Sequence, residues 1–360
     1  MYRVRLKALL TLAALVSAPL SWAESALKIK NDAPQTYTVV KGDTLWDISE
    51  LYLDNPWLWP RLWQANSYIN NPHLIYPGDK LNLIWRNGQP LLSLKTMVKL
   101  SPRVRLLDKQ AVPVVSESLV LPYLESDRLL TMLSLQQVDR VLGSSNGKQF
   151  LTNQDLLYIS GQQTQTEWGI YREVETFTRD EQRVVALKQV AQGELSSSDA
   201  DMSSLRVTKQ VQEILVDDIA LPVIESEQSQ LTTTFYPQPS PAESVAHILG
   251  TLEGSQYVGQ NQVVVIDRGE KDNLTQGSMF ELYKHGATVS AKQSASKVVE
   301  KAVKDKLKMP NQRIGSLMVI RPYQHFSLAL VTESLQPIGK DTLVQAPVIS
   351  DRTPQESDTQ

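Results

Sequence analysis

The chain has 360 residues, 41% hydrophobic and 21% charged, with no cysteine. Such a composition belongs to a globular protein with enough length for one or two cores. The absence of cysteine excludes disulfide scaffolds, cysteine-ligated zinc, iron–sulfur clusters and cysteine nucleophiles. A formal charge of −3 carries no clustered basic face, which argues against a nucleic-acid partner.

Arg3, Arg5 and Lys7 precede an apolar run from Ala8 to Val16, Pro19 breaks it, and Ser21-Trp22-Ala23 places small residues where a cleavage site needs them. Residues 1–23 therefore read as a secretory signal peptide cleaved near Ala23, because a spanning helix needs about 20 apolar residues. Removing those three bases from 36 leaves 33 against 39 acids, a net of −6 for the exported chain. With no cysteine to acylate, the new N-terminus is not lipidated. Export predicts a periplasmic protein without an integral membrane segment, held by packing alone.

Between residues 36 and 84 the pattern is strand, helix, helix, strand. Thr36-Tyr37-Thr38-Val39-Val40 alternates as a strand, and Lys41-Gly42-Asp43 is a turn. Thr44 with Asp47 three residues later forms a capping box that opens a helix carrying Leu45, Ile48 and Tyr52 on one face. Asn55-Pro56 ends it. A second helix has Pro60 in its first turn and Trp59, Leu62, Trp63 and Asn66 at helical spacing. After the turn chemistry of Asn70-Asn71-Pro72 and Tyr76-Pro77-Gly78-Asp79, residues 80–84 form a closing strand.

These residues, with Lys41-Gly42-Asp43-Thr44-Leu45-Trp46, Gln64-Ala65-Asn66 and Leu74-Ile75-Tyr76-Pro77-Gly78-Asp79, resemble a LysM domain. The resemblance implies non-catalytic binding of N-acetylglucosamine-containing glycan, here peptidoglycan. It places the groove between Gly42, Asp43, Thr44 and Leu45 on one wall and Asn71, Pro72, His73, Leu74 and Ile75 on the other. An uncharged acetamido sugar needs outward backbone donors and a small apolar floor, which a glycine turn at a helix start and Leu74-Ile75 supply. Asp43 and Thr44 have a second role as helix and turn caps. Five tryptophans fall between residues 46 and 85. Trp46 and Trp63 are expected in the small core, and Trp57 and Trp59 in an exposed cluster facing glycan or a protein partner.

From residue 97 to 349 the chain reads as period-two β structure, so the fold class is α+β: a small βααβ module followed by a mainly-β region. Strands are expected at residues 262–266, 277–283, 314–320, 326–331 and 342–344, as in a small barrel or sandwich. Residues 153–172 line up with 261–284, and Ser203–Val207 with Gly315–Val319, which predicts two repeated β units over 97–222 and 245–349. Residues 223–244 then form a Pro-rich linker containing Pro237-Gln238-Pro239-Ser240-Pro241. Within 284–311, Ala295, Val298, Val299, Ala302, Val303 and Leu307 fall at helical spacing among lysines, giving a lysine-solvated surface helix. Residues 350–360 are a polar tail expected to be disordered.

No enzyme signature accompanies the module. The histidines His73, His247, His285 and His325 are dispersed and form no zinc motif, Glu117, Glu125, Glu225, Glu243 and Glu333 lack a glycosidase context, and no serine signature stands out. No catalytic residue, metal or cofactor is expected; the alternative is a wall hydrolase or a regulator of one. The layout resembles the TsaP family of LysM proteins associated with type IV pilus secretins, whose C-terminal part is similar to the flagellar protein FlgT. Residues 55–60, 98–104 and 315–344 carry that resemblance. It implies an adaptor between peptidoglycan and an outer-membrane secretin.

Overall fold

The computed structural model describes residues 27–63, 75–95, 115–126, 128–148, 150–152, 155–223, 236–290 and 306–347. The expected signal peptide, Asn71–Leu74 and the polar tail lie outside them. In the N-terminal module, β1 (Thr36–Thr38) pairs antiparallel with β2 (Lys80–Arg86), and α1 (Leu45–Glu50) and α2 (Trp59–Trp63) lie between them in sequence. The capping box starts α1: Thr44 is extended, its Oγ1 accepts from the Asp47 N–H at 3.0 Å, and the Thr44 N–H donates to Asp47 Oδ2 at 3.2 Å. A 3-10 turn over Pro56–Leu58 leads into α2. One further strand, β3 (Gln89–Lys95), extends the sheet beyond the expected closing strand. Its signal was Asn87-Gly88, both at positive φ (51° and 76°), the pair that a two-residue hairpin turn demands.

After the short helix α3 (Glu117–Leu121) and a π-helical turn at Pro122–Ser126, the chain enters its first β unit. The elements are β4 (Arg128–Thr131), α4 (Met132–Leu135), β5 (Asp139–Ser144), β6 (Phe150–Leu151), β7 (Leu156–Ser160), β8 (Glu167–Arg179), β9 (Gln182–Ser198), β10 (Met202–Gln210), β11 (Ile214–Leu215) and β12 (Ile219–Pro222). Six of them close an antiparallel ring in the order β5-β7-β10-β9-β8-β12, with β4 added outside on β9. Val141, Ile159, Trp168, Ile170 and Leu205 fill its interior.

The second unit comprises β13 (Gln238–Pro239), β14 (Val245–Thr251), β15 (Val263–Ile266), β16 (Ser278–Lys284), β17 (Thr288–Ser290), β18 (Lys306–Lys308), β19 (Gln312–Pro322), β20 (Ser327–Ser334) and β21 (Leu343–Gln345). Its ring runs β14-β15-β20-β19-β16-β21 and closes through β16–β21. Numbered by chain order within each ring, the two strand orders are the same. Inside lie Val264, Phe280, Leu282, Leu317, Val319 and Val331. The outward residues Val263, Val265, Met318, Ile320, Leu328 and Leu330 are buried too, in one cluster with Val120, Leu124, Phe177 and the core of the N-terminal module. These strands therefore read as continuous apolar runs rather than alternating ones, because both faces are covered. Polar pins hold the cover in place: Arg321 Nη1 donates to Leu124 O at 2.9 Å, and the Leu129 N–H to Tyr323 Oη at 3.1 Å.

Three expectations change. The end of the presumed linker is a strand, since β13 pairs parallel with β16 (Gln238 with Ser278) and Ser240 is buried. Ser203–Val207 lies in β10, whose position in the ring is matched by β20, whereas Gly315–Val319 lies in β19, the counterpart of β9. The described ends of the lysine-rich segment are not helical: β17 pairs with β18, and Leu307 sits in that hairpin opposite Val289. Its remaining positions, 291–305, lie outside the described residues. No helix among the described residues is long and apolar enough to cross a membrane.

Candidate glycan-binding site

The turn after β1 is tied by its own aspartate. Asp43 Oδ2 accepts from the Val40 N–H at 2.8 Å and from Tyr37 Oη at 3.0 Å, while the Asp43 N–H donates to Val40 O. Burial first, then the hydrogen bond and charge of Asp43, raise the Tyr37 phenol above its ordinary pKa. Gly42 sits at φ 101°, a conformation that favours glycine, and a Cβ there would touch nothing within 4 Å. The turn is thus open on its outer side, with Val40, Lys41 and Gly42 exposed. The first N–H groups of α1 lie at this turn without intrahelical partners, as at any helix start.

The second wall is pinned against the first by backbone bonds. The Gly78 N–H donates to Val39 O at 2.7 Å, and the Val39 N–H to Asp79 O at 2.9 Å. Asp79 closes its own turn by accepting from the Tyr76 N–H at 3.0 Å. The structure therefore brings Gly42 and Asp43 beside the segment from Ile75 to Asp79. Thr44, Leu45 and Ile75 are buried, so Thr44 serves the cap while Leu45 and Ile75 floor the module. Asn71, Pro72, His73 and Leu74 lie outside the described residues. The exposed rim residues Val40 and Pro77 were missed by sequence reasoning; their signal was adjacency to the two glycine turns. Among the described residues of the two walls no titratable side chains pair for proton transfer, since Asp43, Asp47 and Asp79 bond to backbone caps.

The tryptophans are distributed differently from the expectation. Trp46 and Trp63 are buried, but so are Trp57 and Trp59, at 6% and 0% exposure. The Trp59 ring lies 5.5 Å from that of Tyr236 at an interplanar angle of 32°, just before β13. The surface that Trp59 meets thus belongs to the same chain, where the module joins the second ring. Among the described tryptophans the solvent-facing indole is Trp85, 62% exposed at the far end of β2. Trp59 Nε1, Trp63 Nε1, Ser49 Oγ and Tyr52 Oη are buried without hydrogen-bond partners among the described residues. Burial, and secondarily Tyr37, push the Tyr52 phenol up to about 12.

Elsewhere, His247 Nδ1 lies 2.8 Å from Asp267 Oδ2, which also holds Arg268 at 3.1 Å. No group of three or more metal-binding side chains occurs among the described residues.

A short strand, two helices and a returning strand, with two glycine turns side by side, define a small carbohydrate-binding module of the LysM class. The LysM domain family matches residues 37–83, and this is a binding domain, not a catalytic one, with peptidoglycan or chitin as its ligand class. The chain is also similar to the uncharacterized protein YqbP of Bacillus subtilis (strain 168), 39% identical over 61 residues. That match covers 14% of this chain and 28% of the relative, so the chain spans under a third of the protein it matches.

Proposed function

We propose that the protein is a non-catalytic periplasmic adaptor that grips peptidoglycan through residues 37–83 and holds an outer-membrane assembly, a type IV pilus secretin, through its β region. The observation that carries the reading is the LysM match over residues 37–83, whose turns Val40–Asp43 and Tyr76–Asp79 are tied by their own hydrogen bonds and expose Lys41, Gly42, Pro77 and Gly78. A neutral sugar is recognised there by backbone donors and acceptors and by contact with Val40 and Pro77, without acid–base chemistry. One such contact is weak. Several adaptors around one pore bind the wall multivalently, and effective concentration raises the total affinity by orders of magnitude without new contacts. The secretin part rests on the layout of LysM module followed by β units.

Pull-down with purified sacculi tests the glycan reading. The full chain is expected in the pellet, and a chain lacking residues 36–84 in the supernatant with its β circular dichroism retained. Wall binding that persists without the module overturns it. Outer-membrane co-purification tests the partner, and recovery without a secretin would refute that half alone.

A further inference from the structure

The two rings correspond in detail as well as in strand order. Val141-Leu142-Gly143-Ser144 on β5 matches Ile248-Leu249-Gly250-Thr251 on β14, and both carry a register shift just before the glycine. The Arg140 N–H donates to Ser160 Oγ at 3.0 Å, and at the matching place the His247 N–H donates to Asp267 Oδ1 at 2.7 Å. On the second ring, this spot receives an arm. The β8–β9 hairpin runs on past its own ring and seats Phe177 over Gly250, where a Cβ would come within 2.8 Å of the ring. Arg179 fastens the tip to Asp272 at 2.6 and 2.9 Å and to His325 O at 3.1 Å.

The first ring has the same seat with no arm from the described residues on it; Gly143 itself is buried, and the apolar side chains beside it face solvent. Leu142 is 49% exposed, Val216 beside it is 49% exposed, and a Cβ on Gly143 would meet only Val216 Cγ2, at 3.8 Å. The second ring has the base of a matching arm, with 291–305 between its two strands outside the described residues. β16 continues into β17, where Thr288-Val289-Ser290 stands at the place of Thr176-Phe177-Thr178, and Val289 pairs with Leu307 as Phe177 pairs with Val184. Val289 is 41% exposed, and Thr288, Lys308 and Met309 are exposed with it. Charge favours the match: the exposed Lys284 and Lys308 flank the arm. Beside the seat stand the exposed Glu213 and Asp217, the latter 3.3 Å from Arg140.

We propose that the β17–β18 arm of one chain docks on the Leu142–Gly143–Val216 seat of a second copy, repeating between molecules the contact that β8–β9 makes within one. The interface is head-to-tail, so each copy offers one arm and one seat, and assembly either closes into a ring or extends.

Sedimentation of the full chain over a concentration series tests this, with Leu142→Asp on the seat and Val289→Asp on the arm. Both side chains are exposed, so folding is spared. The unmodified chain is expected to associate beyond dimers, and each variant to weaken association roughly tenfold or more, the cost of losing an apolar anchor. Mixing the two variants is expected to restore a single interface and stop at the dimer, since one supplies an intact arm and the other an intact seat. An unmodified chain that stays monomeric up to its solubility limit overturns the proposal. So does an effect of Leu142→Asp with none of Val289→Asp, which assigns the seat to a different occupant.

Discussion

Breaking the Arg179–Asp272 clasp should loosen the second ring from the first by a measurable, pH-dependent amount. Two charge-assisted hydrogen bonds, 2.6 and 2.9 Å long, join side chains that are each about one-fifth exposed. Bonds to charged groups contribute about 1.5–3 kcal/mol net, and partial exposure screens the pair toward the lower end. A double-mutant cycle with Arg179→Ala and Asp272→Asn should therefore return a coupling of about 1.5–2 kcal/mol. At 2–4 °C per kcal/mol for a region of 150–250 residues, Arg179→Ala should lower Tm by roughly 3–8 °C. Burial raises the Asp272 pKa, but the Arg179 hydrogen bonds, the Gly269 N–H and the charges of Arg179 and Arg268 outweigh it and hold the carboxyl below its ordinary value. A depressed carboxylate contributes stability that is fully present above its unfolded pKa of about 3.9 and is lost as pH falls through the lower folded value. Guanidinium melts at pH 7 and at successively lower pH, followed by tryptophan fluorescence, measure both effects. Coupling within error of zero at pH 7, or coupling that survives protonation of Asp272, would show that the arm is held by Phe177 packing alone.

Three further outcomes follow from the N-terminal module. Trp59→Ala should cost about 3–5 kcal/mol, whereas Trp59→Phe should be tolerated far better because the lost indole N–H has no partner among the described residues, a contrast read from denaturant midpoints. Tyr52→Phe should be neutral or stabilising for the same reason, and spectrophotometric titration should find two tyrosines, Tyr52 and Tyr283, that stay protonated until pH approaches about 12 in the unmodified chain, and one fewer in the variant. Asp43→Ala should lower the module's stability by about 1–2 kcal/mol through loss of two hydrogen bonds, while sacculus binding measured well below the melting temperature stays unchanged. A binding defect in a folded Asp43→Ala chain would assign that carboxylate to the glycan instead of the turn.

The N-terminal module was legible because its signals are local. The capping box at Thr44 and Asp47, the turn glycines Gly42 and Gly78, and the helical spacing of Leu45 and Ile48 each act within one or two turns of chain, and the structure has them where the sequence placed them, with Tyr52 buried just past the end of α1. The strands of the second ring were equally readable, since runs such as Val263–Ile266 and Ser327–Val331 have few other options. β3 went unread although Asn87-Gly88 announced it, as the strand that follows mixes Pro90 with leucines instead of alternating. The lysine-rich segment is answered only at its ends, where β17 and β18 pair, because Ala295, Val298, Val299, Ala302 and Val303 lie outside the described residues.

Composition and local pattern determined the glycine turns, the capped helix, the absence of any cysteine chemistry and the β character of most of the chain. Only tertiary structure decided which apolar surface is spare. Trp57 and Trp59 look like a binding surface in sequence, and they are buried once Tyr236 and the second ring arrive from nearly two hundred residues away. Leu142 and Leu249 each stand between a β-branched aliphatic residue and a glycine, yet one is half exposed and the other packs against the main core, because a single hairpin reaches one ring and not the other. Burial depends on what the remainder of the chain brings alongside, and no local pattern encodes it.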